Sequence, residues 1–173
     1  MSNQTVDFIK KRRSIRKYVE KKIPEGILKE LIDCARLAPS GYNKQPWTFV
    51  VITNKELRDE ISYYAKYGKF IKEAAACIAV FCDQESSTTP LQDACAATEN
   101  IIIAAQSYGL GTCWVNSYKK EHSNDIKRLL NCPQNLELMT LLAVGYYDDN
   151  YVKEMAKKPL EKVLLWDKFP ERK

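Results

Sequence analysis

Along the chain, apolar residues switch between a helical spacing of three or four and short unbroken runs. Val6, Phe8 and Ile9 follow Thr5, a residue suited to cap a short helix. Behind Pro24, the residues Ile27, Leu28, Leu31, Ile32 and Ala35 keep helical spacing until Pro39 stops the run. Trp47 to Thr53 is β-branched and aromatic, which predicts a buried strand. Asn54 then caps a helix through Leu57 and Ile61. A second strand is expected over residues 75–82, a long helix over 91–108, a short strand over 112–115, a helix over 125–130 and a third strong strand over 138–146. The stretches 39–46 and 84–90 are rich in turn formers and should be irregular.

Helices alternating with buried strands predict an α/β or α+β domain whose sheet is covered on both faces. The helix over 91–108 carries Ala94, Ala96, Ala97, Ile101, Ile102, Ala104 and Ala105, so more than one of its sides should be buried. The last part, 159–169, holds Leu160, Val163, Leu164, Leu165, Trp166 and Phe169 without a helix start. That much apolar surface must pack on its own domain or on a second subunit. No repeat or linker interrupts the 173 residues, which read as one domain over 1–173.

Composition adds little to this picture: 45% apolar and 28% charged residues describe a globular chain. No apolar stretch has membrane length, and MSNQTVDF lacks the basic and then apolar order of a signal peptide. A cytoplasmic protein with no membrane partner is expected. The six cysteines form no CxxC, and only His122 could assist a zinc site, so they read as reduced small hydrophobes and no metal is expected.

Charge changes the picture more. The chain carries +5, yet residues 10–22 hold eight basic side chains against Glu20 alone, a local +7 that leaves −2 elsewhere. Such a concentration points to an anionic ligand at one place. Within it, Arg12-Arg13-Ser14-Ile15-Arg16 offers guanidinium forks and a hydroxyl suited to a phosphate monoester. In an extended backbone Arg12, Ser14 and Arg16 share one side, and Arg13 and Ile15 the other. Taken alone, the run is also compatible with a solvated charge cluster or a nucleic-acid arm, although Ile15, Tyr18 and Val19 interrupt it.

In the 39–47 loop, Ser40, Asn43 and Gln45 can exchange hydrogen bonds, and Gly41 allows close backbone approach. On spacing alone it is a helix-to-strand connection. Gly109-Leu110-Gly111 follows a helix and reads as a helix stop, not a dinucleotide fingerprint, and no P-loop is present. His122 beside Glu121 reads as a surface residue, and Asp148-Asp149 as a turn. So few acid–base groups point to chemistry supplied by a phosphate-bearing organic cofactor.

Four segments in order resemble the FMN-dependent nitroreductase family in its short single-domain form: RRSIRKY, PSGYNKQPWTFVV, DACAATENIIIAAQSYGLGTCWV and VGYYDD with KKPLEKVLLW. The resemblance covers nearly the whole chain. It implies an α+β fold with a mixed sheet between helices, assembled as an intertwined homodimer with FMN in two interface grooves. The long apolar helix would form the dimer core, and the tail over about 159–173 would wrap the partner and extend its sheet.

Residue by residue, the resemblance implies that Arg12, Ser14 and Arg16 hold the FMN phosphate, ribityl chain and pyrimidine edge, with Arg13 beside them. Pro39, Ser40, Gly41, Asn43 and Gln45 would come from the other subunit. Backbone of Trp114, Val115 and Asn116 would run along the ring, and Lys157 would reach the phosphate. Met155 stands where a second basic residue is common, and Lys66 or Lys69 is a further candidate for the pyrimidine edge. The implied activity is NAD(P)H oxidation with ping-pong hydride transfer through flavin N5 to nitroaromatic, quinone or enone acceptors, with no catalytic side chain. Other functions compatible with these residues are a non-enzymatic flavin sensor and a dehalogenase or dehydrogenase of the same fold.

Overall fold

The computed structural model describes residues 3–152 and 155–169. Five helices and four strands follow in the order α1 (Gln4–Lys11), α2 (Glu25–Arg36), β1 (Trp47–Ile52), α3 (Lys55–Tyr64), β2 (Ala76–Asp83), α4 (Pro90–Ser107), β3 (Gly111–Asn116), α5 (His122–Leu129) and β4 (Leu136–Gly145). Asn54 caps α3 as expected, its side chain accepting from the Leu57 N–H at 2.8 Å. At α1 the cap is Asn3, whose side chain accepts from the Val6 N–H at 3.3 Å, so Thr5 lies inside the helix. Pro24 sits at the cap of α2 and offers its carbonyl to the Ile27 and Leu28 N–H groups.

The sheet order is β1-β2-β4-β3, and every strand pair is antiparallel. The mixed character expected of the sheet is reduced to one parallel bridge, Ser14 to Thr112. The fold is accordingly α+β. The central strands β2 and β4 are covered on both faces, which is why their sequences run apolar without alternation. Ile78, Val80, Leu142 and Val144 face α2 and α4. Cys77, Ala79, Phe81, Leu141 and Ala143 face α3, α5 and the 3₁₀ turn Lys69–Glu73.

From Asp93 to Gln106 the residues of α4 are buried or half-buried, as its many small and apolar side chains predict. The six cysteines are free thiols, and burial pushes Cys77 and Cys82 up to about 12. No described helix is long and apolar enough to cross a membrane.

The far end of the sheet is closed by the basic segment. Its backbone is extended: the Ile15 N–H donates to the Thr112 carbonyl and the Val19 N–H to the Tyr146 carbonyl, each at 2.8 Å. Ile15 lies on Gly111 and Tyr18 on Gly145, where a Cβ would come within 2.6 Å of Ile15 Cγ1 and 2.7 Å of Tyr18 Cδ1. Gly111→Ala is therefore expected to lift the segment and destabilise the domain by about 1–3 kcal/mol, the usual range for overpacking. Thermal or denaturant unfolding checks it, and unchanged stability would contradict the packing described.

Candidate functional site

The extended path sorts the basic segment much as alternation predicts. Ile15 is buried while Ser14 and Arg16 face solvent. Arg16 keeps its guanidinium 5.9 Å from the Phe70 ring centroid, and its charge reaches the buried Cys113 thiol. Arg12 stands at the end of α1, with Nε 3.8 Å from the half-exposed Glu99 carboxylate of α4. A pair that long and that wet leaves most of the guanidinium's binding capacity to a stronger anion. Arg13 turns back instead, donating to the Lys10 and Arg12 carbonyls at 2.8 and 2.9 Å. Tyr18 donates its hydroxyl to the Ile15 carbonyl at 2.7 Å, and burial raises its pKa.

Beside this segment runs the outer edge of β3. β3 pairs with β4 on one side. On the other, its pairing among the described residues is the bridge at Thr112. Backbone groups two residues apart point the same way in a strand, so Trp114 and Asn116 turn their N–H and carbonyl groups to the open edge. Val115 does not. Its side chain is in the core, and its carbonyl accepts from the Thr140 hydroxyl at 3.0 Å and the Ser117 hydroxyl at 3.3 Å.

The turn after β3 corrects the expectation for His122. It is half-buried, with Nε2 3.0 Å from the hydroxyl of the fully buried Ser117. Desolvation, and after it Lys120, lowers the His122 pKa, so the ring is neutral at pH 7.

The 39–46 loop has more structure than its turn-forming residues suggest. Tyr42, Asn43 and Gln45 have φ of 51°, 55° and 48°. A bulky left-handed residue such as Tyr42 costs roughly 1–3 kcal/mol and persists only where its surroundings hold it. The Gln45 N–H donates to Ser40 Oγ at 2.9 Å and the Gly41 N–H to Asp93 Oδ1 at 3.0 Å. Pro39, Asn43 and Gln45 are exposed, and Ser40 and Gly41 half-exposed. Asp93, in the first turn of α4, is an anchor that sequence reasoning missed. An acid in the first turn of a helix rich in small and apolar residues was its available signal.

The two constellations do not meet within one chain. The loop enters β1, where Trp47 pairs with Cys82 near one end of the sheet. The basic segment lies at the opposite end, on Gly111 and Gly145, by the far edge strand β3. Three strand spacings across and several residues along put about 20 Å or more between Trp47 and Gly111, while Arg12, at Glu99, stands nearer, about 9 Å along α4 from the loop's anchor Asp93. Lys157 and Met155 are exposed in the tail, and Lys66 is exposed too. Lys69 is engaged, donating to the Tyr63 carbonyl at 2.9 Å. Among the described residues no group of acids, cysteines and histidine forms a metal cluster. A large groove lined by Tyr18, Lys22, Leu28, Val51, Arg58 and Ala74 opens beyond the end of β1; it takes in the last part of the basic segment, but Arg12, Ser14, Arg16 and the 39–46 loop do not line it.

The family model of the nitroreductase family matches residues 9–74 and 62–146. A protein of Methanothermobacter thermautotrophicus, "Putative NADH dehydrogenase/NAD(P)H nitroreductase", is 35% identical over 149 residues, covering 84% of this chain and 78% of its own. An iodotyrosine deiodinase of Nematostella vectensis is 27% identical over 205 residues, covering 95% of this chain and 76% of its own. The solved FMN-dependent nitroreductase of Clostridium difficile R20291 superposes with a TM-score of 0.86 at 28% identity, over 95% of this chain and 99% of that one. The basic segment, the 39–47 loop and the β3 edge all fall within the matched range, and the chain belongs to the nitroreductase family.

Proposed function

We propose that the protein is an FMN-dependent NAD(P)H oxidoreductase that reduces nitroaromatic, quinone or enone acceptors. We further propose that it works as a homodimer with FMN at the subunit interface. One observation carries the reading: Arg12, Ser14 and Arg16 stand beside an open strand edge that presents the backbone of Trp114 and Asn116. Guanidinium forks and a hydroxyl match a phosphate, and unpaired backbone donors and acceptors match the rim of a flat heterocycle, so the donor set fits FMN. The C. difficile relative is named for its FMN dependence, and the M. thermautotrophicus relative for NAD(P)H.

When bound, FMN would supply the redox chemistry, taking up reducing equivalents from NAD(P)H and giving them to the acceptor. Arg12 and Ser14 would hold the phosphate, and Lys157 would join them. Arg13 would brace the end of α1. Arg16 would keep a fixed positive charge at the flavin edge, where it favours the electron-rich form. Trp114 and Asn116 would orient the ring through backbone bonds, with Val115 packing behind them. Pro39, Ser40, Gly41, Asn43 and Gln45 of a second copy would complete the site, since one chain keeps this loop at the wrong corner of its sheet. His122 would have no part in proton transfer, being committed to Ser117.

The exposed tail supports the assembly. Leu160, Trp166 and Phe169 are 68%, 80% and 82% exposed, and the outer edge of β1 has no strand beside it among the described residues. A tail laid on that edge in a second copy would cover both surfaces. A second reading, reductive dehalogenation, draws on the deiodinase relative, so iodinated phenols belong in the acceptor panel.

Three measurements test the reading. Arg12→Ala should weaken FMN binding by about ten- to a hundredfold, while riboflavin, which lacks the phosphate, binds variant and wild type alike. Equal FMN affinity would reduce the segment to a solvated charge run. Deleting residues 159–173 should cost the dimer, bound flavin or solubility, read by light scattering and absorbance; a stable flavin-loaded dimer would refute the role of the tail. With NAD(P)H and a nitroaromatic, double-reciprocal plots should be parallel and His122→Ala should turn over within a few-fold of wild type. Loss of most activity in that variant, with flavin retained, would put an essential acid–base group back into the mechanism.

A further inference from the structure

Asp93 is nearly fully buried, at 4% exposure, and none of the described ion pairs includes it. Three neutral donors converge on it instead. The Gly41 N–H and the Thr89 hydroxyl reach Oδ1 at 3.0 and 3.1 Å, and the Ser87 hydroxyl reaches Oδ2 at 2.7 Å. Ser87 is itself fixed, accepting from the Thr89 N–H at 3.0 Å.

These groups could have served the helix alone. An acid in the first turn of α4 favours the positive end of the helix, and Thr89 stands at its N-cap. Yet the Thr89 side chain makes no capping bond to α4 and turns to Asp93. The network is therefore aimed at the loop. It grips Gly41 at a point where a Cβ would come within 2.4 Å of Thr89 Oγ1. Directly after that grip come the three left-handed residues Tyr42, Asn43 and Gln45, two turn bonds to the Ser40 and Gly41 carbonyls, and an exposed tyrosine ring. A backbone in that conformation needs a rigid anchor, and the buried carboxylate is the anchor present.

We propose that Asp93 is a positioning residue acting across the subunit interface: through Gly41 it sets the geometry of the loop that completes the second copy's flavin site. It touches neither cofactor nor substrate. The inference rests on the proposed dimeric FMN site, and its consequence is particular to it. Damage to Asp93 should appear in the partner's site, not in the site built on the same chain's Arg12.

Mixed dimers of differently tagged copies test this, one carrying Asp93→Ala and the other Arg12→Ala. Each parent homodimer should bind FMN about tenfold or more weakly than wild type. The mixed dimer should regain one site of wild-type affinity, formed by the intact basic segment of the first copy and the intact loop of the second. A mixed dimer with no such site overturns the proposal. So does an Asp93→Ala homodimer that melts at lower temperature but binds FMN as wild type does. Asp93→Asn keeps Oδ1 for Gly41 and Thr89 while the Ser87 hydroxyl turns to accept, so it should bind FMN within a few-fold of wild type. If Asp93→Ala does not fold, Thr89→Val takes its place in the mixed dimer, with a smaller loss in the same direction. Wild-type FMN affinity in the Arg12→Ala homodimer would instead refute the underlying site, which separates the two failures.

Discussion

Ile15 and Tyr18 can lie flat on the end of the sheet because Gly111 and Gly145 present no side chains there, and this close approach governs the rest of the site. With the two apolar residues seated, alternation turns Ser14 and Arg16 outward, and the Ile15 N–H closes the first position of the β3 edge. The remainder of that edge stays open. A strongly charged segment is thus held by its few apolar residues, while its charges remain available for a ligand. The hydrophobic effect holds the backbone, and electrostatics is left for binding.

The sheet then imposes a separation. A four-stranded sheet with β1 and β3 at its edges keeps the 39–46 loop and the basic segment at opposite corners. No side-chain motion closes the gap of about 20 Å between Trp47 and Gly111. A twofold partner can close it twice at once, because an isologous interface brings each corner of one copy to the other corner of its mate. The half-buried sides of α4 and the exposed tail are the surfaces such a partner would need.

Two networks of buried polar groups are tied to loops next to that site. Asp93, with Ser87 and Thr89, holds the turn before β1. Ser117, with His122 and Thr140, holds the turn after β3. Both networks are largely satisfied and buried, the condition under which polar groups rigidify a structure.

Much of the fold was legible in the residues. Unbroken apolar runs marked β2 and β4 because both their faces are covered, and Asn54 and the helical spacing of α2 located their helices. The local +7 in residues 10–22 pointed to an anionic ligand, and the order of four motifs marked the family. These features depend on neighbours along the chain, so sequence alone determines them. What it could not determine is the result of contacts between distant segments. The antiparallel order of the sheet depends on which edges meet. Which backbone groups of β3 stay open at Trp114 and Asn116 depends on which edge of the strand meets β4. The grip of Asp93 on Gly41 spans 52 positions and arises only when α4 packs against the loop before β1. Only the tertiary structure could decide these, because each is fixed by packing in space and leaves no periodicity along the chain.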